Sequence, residues 1–189
     1  KLKKINWDEA SRLLAKAQGT SVKLTKEMTL KYELQYHPFL LEKGLSQKIC
    51  EMLEIGVPKG KTMLSGCVAF TIHNEKMERI AYYGINMKTG KPIFHKSFNP
   101  ELYLYGYSFY SYHKENIVDA YFTNDMFECV KILAEDEFCV CNFGLPYISD
   151  EHLKLMEKIP FIKFRIPQEL VRLFAVRMAD TKAGLHCFL

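Results

Sequence analysis

The sequence has little of the features that mark several special classes of protein. It contains one tryptophan, and its seven prolines and ten glycines form no collagen-like repeat. No stretch approaches the roughly 18 consecutive apolar residues of a membrane-spanning helix, and no charged-then-apolar leader opens the chain. The six cysteines form no CxxC pair, so neither a disulfide framework nor a paired-cysteine metal motif is indicated. We therefore expect reduced thiols in a cytoplasmic protein that does not bind a membrane.

What is present is typical of a folded protein. Apolar residues make up 48% of the chain and charged residues 25%, a balance that excludes a disordered or coiled-coil chain. The length of 189 residues suits one compact domain or two small ones. A chain of this size buries about 70% of its unfolded surface without the help of crosslinks.

The charge is distributed unevenly along the chain. The net charge of +4 is too small to indicate a partner, but residues 1–113 carry a net +7 and residues 114–189 a net −3. Between Lys59 and Lys96, seven basic residues stand against two acidic ones, a local excess that attracts polyanions. A solvated lysine-rich surface without a ligand is the alternative interpretation.

The first part predicts a mixture of helices and strands. Apolar residues at helical spacing predict a helix over 6–17, and a second helix, capped by Ser46, is predicted over 47–53 with Gly56 after its end. The β-rich stretches 66–73 and 79–85 flank a polar turn and predict a hairpin. Alternating aromatic residues then predict a strand over 103–109 with one aromatic face.

In the second part of the chain, the spacing of apolar residues alternates between that of strands and that of helices. Strands are predicted over 117–123, 138–142 and 161–164, separated by helices over 126–133 and 150–157. Ser149 is expected to cap the second of these helices. Such a β-α-β-α-β order implies a parallel sheet with helices packed on it. The predicted fold class is therefore α/β in the broad sense (α+β), with a basic α+β subdomain over 1–113 and a parallel-sheet domain over 114–189.

Three local patterns have simpler structural explanations. Residues 56–62 (GVPKGKT) resemble the end of a phosphate-binding P-loop, but three residues separate the glycines where the pattern needs four, so a helix-to-strand turn is favoured. Cys139 and Cys141 alternate on one strand without further ligands at zinc-finger spacing, which favours buried thiols. The aromatic run 103–112 is either a base-stacking platform or, as we favour, a core strand.

Three stretches, taken in order, carry a family resemblance. Residues 37–46 (HPFLLEKGLS), with the helix ending at 54–56, resemble the HPYLxxRGLS stretch of primase-like proteins from phages and mobile elements. Residues 66–84, which contain GCVAFTIHNE and IAYYG, resemble the GRIxFPIHNE hairpin of bacterial-type DNA primases. Lys91-Pro92 and the LYLYG of 102–106 resemble their PKY and LYG segment. The chain thus resembles a DNA primase catalytic core over about residues 37–160.

The resemblance implies that the second part is a TOPRIM domain, in which an E-G-x-x-D turn and a later D-x-D hold a divalent metal for phosphoryl transfer. The turn aligns with residues 124–128, where Asn124 replaces the glutamate, Asp125 replaces the glycine and Glu128 keeps the last acid. The D-x-D position reads KFRIP, residues 163–167. Because Mg²⁺ prefers anionic oxygen ligands and is repelled by a nearby cation, Glu128 and Asp125 are expected to be a vestigial catalytic pair, and no bound metal is expected.

The same resemblance assigns nucleic-acid contacts to the first part. Lys91 matches a lysine of the family, and Lys96 lies in the same connecting segment, whereas Cys67 and Ile85 replace the two arginines of the family's hairpin. With the local basic excess, these matches give five candidate nucleic-acid-binding residues: Lys91, Lys96, Lys59, Lys61 and Arg79.

The leading hypothesis is a primase-related module of a phage or mobile-element replication or transfer protein. It is expected to bind single-stranded DNA or a primer-template without catalysis or a cofactor, with a replication protein such as a helicase as a partner. An active primase is one alternative, with Glu128, Asp125 and one more acid, for example Asp180, holding Mg²⁺ or Mn²⁺. A protein-interaction scaffold is the other. The chain is expected to be a segment of a longer protein.

Overall fold

The computed structural model describes residues 31–94, 98–113, 115, 119–179 and 184–186. The helix predicted over 6–17, Lys96 and Asp180 lie outside these residues. The chain divides into two compact units, with the boundary between Phe98 and Asn99. In the described part, no helix is both long and apolar enough to cross a bilayer.

The first unit is built on an antiparallel sheet whose five strands follow one another in chain order, β1-β2-β3-β4-β5. The strands are β1 (Leu34–Gln35), β2 (Ile55–Pro58), β3 (Cys67–His73), β4 (Arg79–Asn86) and β5 (Pro92–Phe94). Two short helices, α1 (Pro38–Glu42) and α2 (Gln47–Met52), connect β1 to β2. Ser46 caps α2 as predicted, its hydroxyl accepting the N–H of Ile49.

The predicted hairpin is confirmed as β3 and β4. The two strands pair from Cys67 opposite Asn86 to His73 opposite Arg79, and β3 is buried along its whole length. Asn74 closes the turn, because its side-chain oxygen accepts backbone N–H groups further along the turn at 2.9 and 3.0 Å. The hairpin therefore forms the centre of the first unit.

The helix predicted over 47–53 is confirmed to within one residue, but Gly56 does not lie in the predicted helix-to-strand turn. Helix α2 ends at Met52, and Gly56 lies within β2. A glycine is needed there because a Cβ atom would lie 2.8 Å from the carbonyl oxygen of Gln35 on the neighbouring strand. The segment 56–62 is thus partly strand, and a strand rather than a helix follows it, which leaves no P-loop.

The second unit is built on a parallel sheet with strand order β7-β6-β8-β9. Its strands are β6 (Asp119–Thr123), β7 (Cys139–Cys141), β8 (Phe161–Phe164) and β9 (Gly184–His186). Its helices are α3 (Tyr107–His113), α4 (Met126–Ala134), α5 (Asp150–Met156) and α6 (Gln168–Met178). The predicted β-α-β-α-β order is confirmed, and α6 and β9 extend it.

Aromatic packing holds this sheet to its helices. Phe122 of β6 is fully buried between Phe164 of β8 and Phe174 of α6, with ring centroids 5.5 and 5.7 Å apart. Fully burying one such ring contributes about 1.5–3 kcal/mol. Cys139 and Cys141 are buried free thiols, as predicted, and burial raises the pKa of the Cys141 thiol.

The predicted strand over 103–109 is wrong. The segment contains a single bridge between Tyr105 and Cys141, a turn at Gly106, and then helix α3. Gly106 has φ of 81°, and a Cβ atom there would lie 2.1 Å from the carbonyl oxygen of Cys139. Tyr107, Phe109 and Tyr110 are all buried, so the aromatic residues do not occupy one face and their alternation is not a strand period.

Hydrogen bonds attach the residues before α3 to α5. These bonds explain why the boundary between the two units precedes the predicted boundary at residue 113. His152 is completely buried, and its Nε2–H donates to the carbonyl oxygens of Pro100 and Tyr103 at 2.9 and 2.8 Å. Ser149 caps α5 as predicted, and its hydroxyl also donates to the carbonyl oxygen of Glu101 at 2.6 Å. Residues 99–113 therefore belong with the second unit.

Lowering the pH should weaken this attachment through His152. Burial lowers the pKa of His152 below its ordinary value of 6.5, so the unfolded chain takes up a proton before the folded chain does. The free energy of unfolding is expected to fall as the pH drops below 6.5. Urea unfolding at about pH 7.5 and about pH 5.5 should show a smaller loss for His152→Gln than for the unsubstituted chain. An equal loss in both chains would contradict the assignment.

Candidate nucleic-acid interface and sheet-end crevice

Four exposed lysines lie at one end of the first unit's sheet, which we call the basic end: Lys59, Lys61, Lys88 and Lys91. The first two lie in the connection between β2 and β3, and the other two in the connection between β4 and β5. The connections are joined, because the N–H of Met87 donates to the carbonyl oxygen of Gly66 at 3.1 Å. Three predicted residues, Lys59, Lys61 and Lys91, are therefore brought together, and Lys88 joins them.

Both connections are fixed by hydrogen bonds of their own. The side-chain oxygen of Asn86 accepts the N–H groups of Lys88 and Thr89, each at 3.0 Å. In the other connection, the N–H of Thr62 donates to the Ser65 hydroxyl at 2.8 Å. The backbone that carries the lysines is thus ordered before any ligand binds, which lowers the entropic cost of binding.

Lys59 differs from the other lysines of the basic end because it already has an anionic partner. Its ammonium group forms an ion pair with Glu33, and its backbone N–H donates to the carbonyl oxygen of the same residue at 2.9 Å. Both side chains are at least half exposed, so solvent screens the pair and it contributes little to stability. A phosphate could therefore compete with Glu33 for this lysine.

Arg79 lies at the opposite end of the sheet, beside the turn between β3 and β4. Its guanidinium donates to both carboxylate oxygens of Glu54, at 2.6 and 3.3 Å, and His73 lies 3.2 Å from the same carboxylate. Burial by itself would raise the pKa of Glu54, but the hydrogen bonds from His73 and Arg79 outweigh it and lower the pKa to about 2. The structure gives Arg79 a partner within the fold.

No local pattern in the sequence indicates this cluster. Glu54 has φ of 53°, in the left-handed region that few residues other than glycine adopt. Its carboxylate reaches His73 and Arg79 only because the hairpin register places these two residues opposite each other. The pairing depends on strand register, which the spacing of residues along the chain does not reveal.

The second unit has a crevice of about 830 Å³ at the carboxyl ends of β6 and β8, which we call the sheet-end crevice. In parallel sheets this is the edge at which ligands bind. The predicted catalytic residues Asp125 and Glu128 both line it. The full lining is Thr123, Asn124, Asp125, Glu128, Gly144, Phe164, Arg165, Ile166, Pro167, Gln168 and Val171.

Asp125 serves as the N-cap of α4. One of its carboxylate oxygens accepts the N–H groups of Phe127 at 2.7 Å and Glu128 at 3.1 Å. Its own N–H donates to the hydroxyl of Thr123 at 3.1 Å. These bonds satisfy backbone groups that every helix start leaves without partners, so the local structure already uses this carboxylate.

Glu128, the second predicted acid, forms an ion pair with Arg165 in which the guanidinium nitrogen lies 3.1 Å from the carboxylate oxygen. Arg165 directly follows β8, and its backbone N–H donates to the carbonyl oxygen of Phe122 at 2.8 Å. Its guanidinium carbon also lies 5.4 Å from the ring centroid of Tyr121. The cation that the sequence places at the D-x-D position therefore contacts the acid directly.

The next cation on the same face of β8 is paired in the same way. Lys163 forms an ion pair with Asp119 of β6, and its ammonium group lies 5.3 Å from the ring centroid of Tyr121. The hydrogen bond that Lys163 donates to Asp119 raises the pKa of Lys163 above its ordinary value. Lys163 of β8 and Arg165, which follows the strand, thus both lie against Tyr121 of β6, and each has a carboxylate partner.

The residues present do not fit a divalent metal site of the kind that the resemblance implies. Mg²⁺ prefers several carboxylate or carbonyl oxygens, whereas the described part of the crevice offers a capping carboxylate, a carboxylate paired with arginine and the neutral amide of Asn124. Across the described residues, no group of three or more His, Cys, Asp or Glu side chains is arranged to hold a metal ion.

No protein-family model matches the chain, and no curated protein sequence matches it. Solved structures with similar folds include the zinc-binding and RNA polymerase domains of the Aquifex aeolicus primase, with a TM-score of 0.67 and 14% identity over 99% of this chain. A DnaG primase catalytic domain bound to single-stranded DNA gives 0.62 and 13% over 96%. The RNA polymerase domain of Mycobacterium tuberculosis primase DnaG gives 0.61 and 10% over 96%.

These likenesses cover 56% of the Aquifex chain, 72% of the DNA-bound domain and 76% of the Mycobacterium domain. This chain therefore spans little more than half the length of the first of them. At such low identities the likeness concerns the fold alone. The predicted α+β class and the primase-like fold are confirmed.

Replacing Arg79 should affect stability more than replacing a lysine of the basic end. Arg79→Met leaves the largely buried carboxylate of Glu54 without its main cation, and breaking such a pair costs about 3 kcal/mol. Lys61→Met, at an exposed position, should change the free energy of unfolding by less than about 0.5 kcal/mol. Urea unfolding at neutral pH measures both. Equal and small effects would show that the pair with Glu54 does not hold the fold.

Proposed function

We propose that this chain, which has the fold of a DNA primase catalytic core, is a primase-related module that binds single-stranded nucleic acid and does not itself synthesise primers. The observation that carries the binding half is the basic end, where two joined connections present four exposed lysines. The observation that carries the other half is the ion pair between Glu128 and Arg165 in the sheet-end crevice.

The charge of the basic end suits a phosphate backbone. Lysine ammonium groups bind phosphates as mobile point charges and release the counterions condensed on the nucleic acid. Such binding depends on charge more than on base sequence. One of the solved structures of similar fold was determined with single-stranded DNA bound, which supports this choice of ligand.

The finer parts of the proposal rest on the sequence resemblance. The HPFLLEKGLS stretch of residues 37–46 resembles primase-like proteins of phages and mobile elements, so we place the module in the replication or transfer of such an element. A TOPRIM-like identity of the second unit and a replication partner such as a helicase belong to the same proposal.

Binding should weaken steeply with salt and depend on the basic end. The slope of log affinity against log salt concentration changes by about 0.7 for each phosphate contact with single-stranded DNA. Replacing Lys59, Lys61 and Lys91 together by glutamine should therefore reduce the slope by about 2 if all three contact phosphates. Fluorescence anisotropy with a labelled oligonucleotide, over a salt series from low to physiological, measures this.

Lys76→Gln is the matched control, because Lys76 is exposed in the hairpin turn at the opposite end of the same sheet. It should keep the slope of the unsubstituted chain. Absence of binding even at low salt would refute the nucleic-acid role and favour a scaffold for protein interactions.

The chain should produce no primers from a single-stranded template with Mg²⁺ or Mn²⁺. Glu128 is held by Arg165, and Asp125 caps α4, so neither carboxylate is arranged to hold an ion against a triphosphate. A primer-synthesis assay with labelled nucleotides tests this expectation. A product that Glu128→Gln abolishes would overturn the proposal in favour of an active primase.

A further inference from the structure

We infer that Arg165 is a resident cation that takes the place of a divalent ion in the sheet-end crevice and keeps Mg²⁺ and Mn²⁺ out of it. This inference deepens the proposed lack of primer synthesis and rests on that half of the proposed function. It does not depend on binding of nucleic acid by the basic end.

The geometry fixes Arg165 in this role. Its backbone is held by the 2.8 Å hydrogen bond to Phe122, and its guanidinium lies 3.1 Å from Glu128 and 5.4 Å from the ring of Tyr121. Contacts to a carboxylate on one side and an aromatic ring on the other restrict where the side chain can go. A guanidinium keeps its charge throughout the physiological range of pH, so the crevice holds a positive charge at all times.

The charges explain why a divalent ion is disfavoured. Asp125 and Glu128 carry one negative charge each, and Arg165 offsets one of them. An entering ion would be repelled by the guanidinium and would have to take Glu128 away from it. Asp125 offers an ion only one oxygen of its carboxylate, because the other already accepts two backbone N–H groups.

A single substitution at this position should therefore reverse the preference. Arg165→Asp removes the cation and adds a third carboxylate beside Asp125 and Glu128, which is closer to the oxygen-rich set that Mg²⁺ and Mn²⁺ prefer. The rest of the crevice keeps its backbone, since the hydrogen bond that positions residue 165 is made by the main chain.

The test is Mn²⁺ binding to the full chain, followed by the loss of the electron paramagnetic resonance signal of free Mn²⁺. The unsubstituted chain should show no saturable site up to millimolar concentrations. Arg165→Asp should bind one Mn²⁺ with a dissociation constant at least about tenfold below that millimolar limit, and the further change Glu128→Gln should remove that site. Arg172→Asp is the matched control, because Arg172 is exposed on α6 outside the crevice lining.

Arg165→Met gives a second measurement in case the aspartate variant fails to fold, as judged by circular dichroism. It removes the positive charge without adding a ligand, so its affinity should lie above that of the unsubstituted chain. Saturable Mn²⁺ binding by the unsubstituted chain that Glu128→Gln abolishes would overturn the inference. So would folded Arg165 variants that bind Mn²⁺ no better than Arg172→Asp.

The DNA anisotropy measurement on the same preparations separates the two claims. Loss of DNA binding with Mn²⁺ results as expected would refute the nucleic-acid role alone. Retained DNA binding together with a Mn²⁺ site in the unsubstituted chain would refute only the inference that Arg165 keeps divalent ions out of the crevice.

Discussion

The parallel pairing of β6 with β8 is the constraint on which the chemistry of the second unit depends. The strands pair in register up to Phe122 opposite Phe164, so the residues that follow them meet at one edge of the sheet. Glu128 and Arg165 contact each other there although they are 37 positions apart in the sequence. The packing that holds the sheet involves other residues, the rings of Phe122, Phe164 and Phe174. Substitutions that change the residues at this edge from acidic to basic can therefore leave the fold intact.

In the first unit, too, the order of the strands decides which charged residues lie at the same end of the sheet. Successive connections of an antiparallel sheet alternate between its two ends, so the basic residues between Lys59 and Lys96 cannot all lie on one surface. The connections after β2 and β4 share the basic end, whereas the hairpin turn and Arg79 lie at the other. Arg79 is bound to Glu54. A local excess of charge in the sequence thus overstates the positive surface that a single nucleic-acid strand could contact.

Patterns of neighbouring residues predicted two helix caps and the strands that show them. They failed in the aromatic segment, where residues are buried on more than one side and the spacing of apolar residues does not reveal the secondary structure. Ser46 and Ser149 were found as caps because a hydroxyl before an amphipathic stretch is a local feature, and the strand over 161–164 agrees with the structure. The aromatic segment over 103–109 misled because it passes from a turn into helix α3 and Tyr105, Tyr107 and Phe109 are all buried, so alternation carried no information about a sheet face. The sequence placed Arg165 after the last predicted strand. It could not show which carboxylate Arg165 would meet, because that depends on strand order.

Burial separates the roles of the two main ion pairs. The side chains of Glu54, His73 and Arg79 are 15%, 4% and 22% exposed, so removing one partner leaves a charge that water cannot readily solvate, and the cluster matters for folding. Arg165 and Glu128 are 53% and 35% exposed, and a pair so open to solvent adds little to stability. Its effect falls instead on the crevice itself, because the guanidinium offsets the negative charge of Glu128 that an entering ion would otherwise meet. The Arg165 side chain can therefore set the charge of the sheet-end crevice although the stability of the fold depends little on its ion pair.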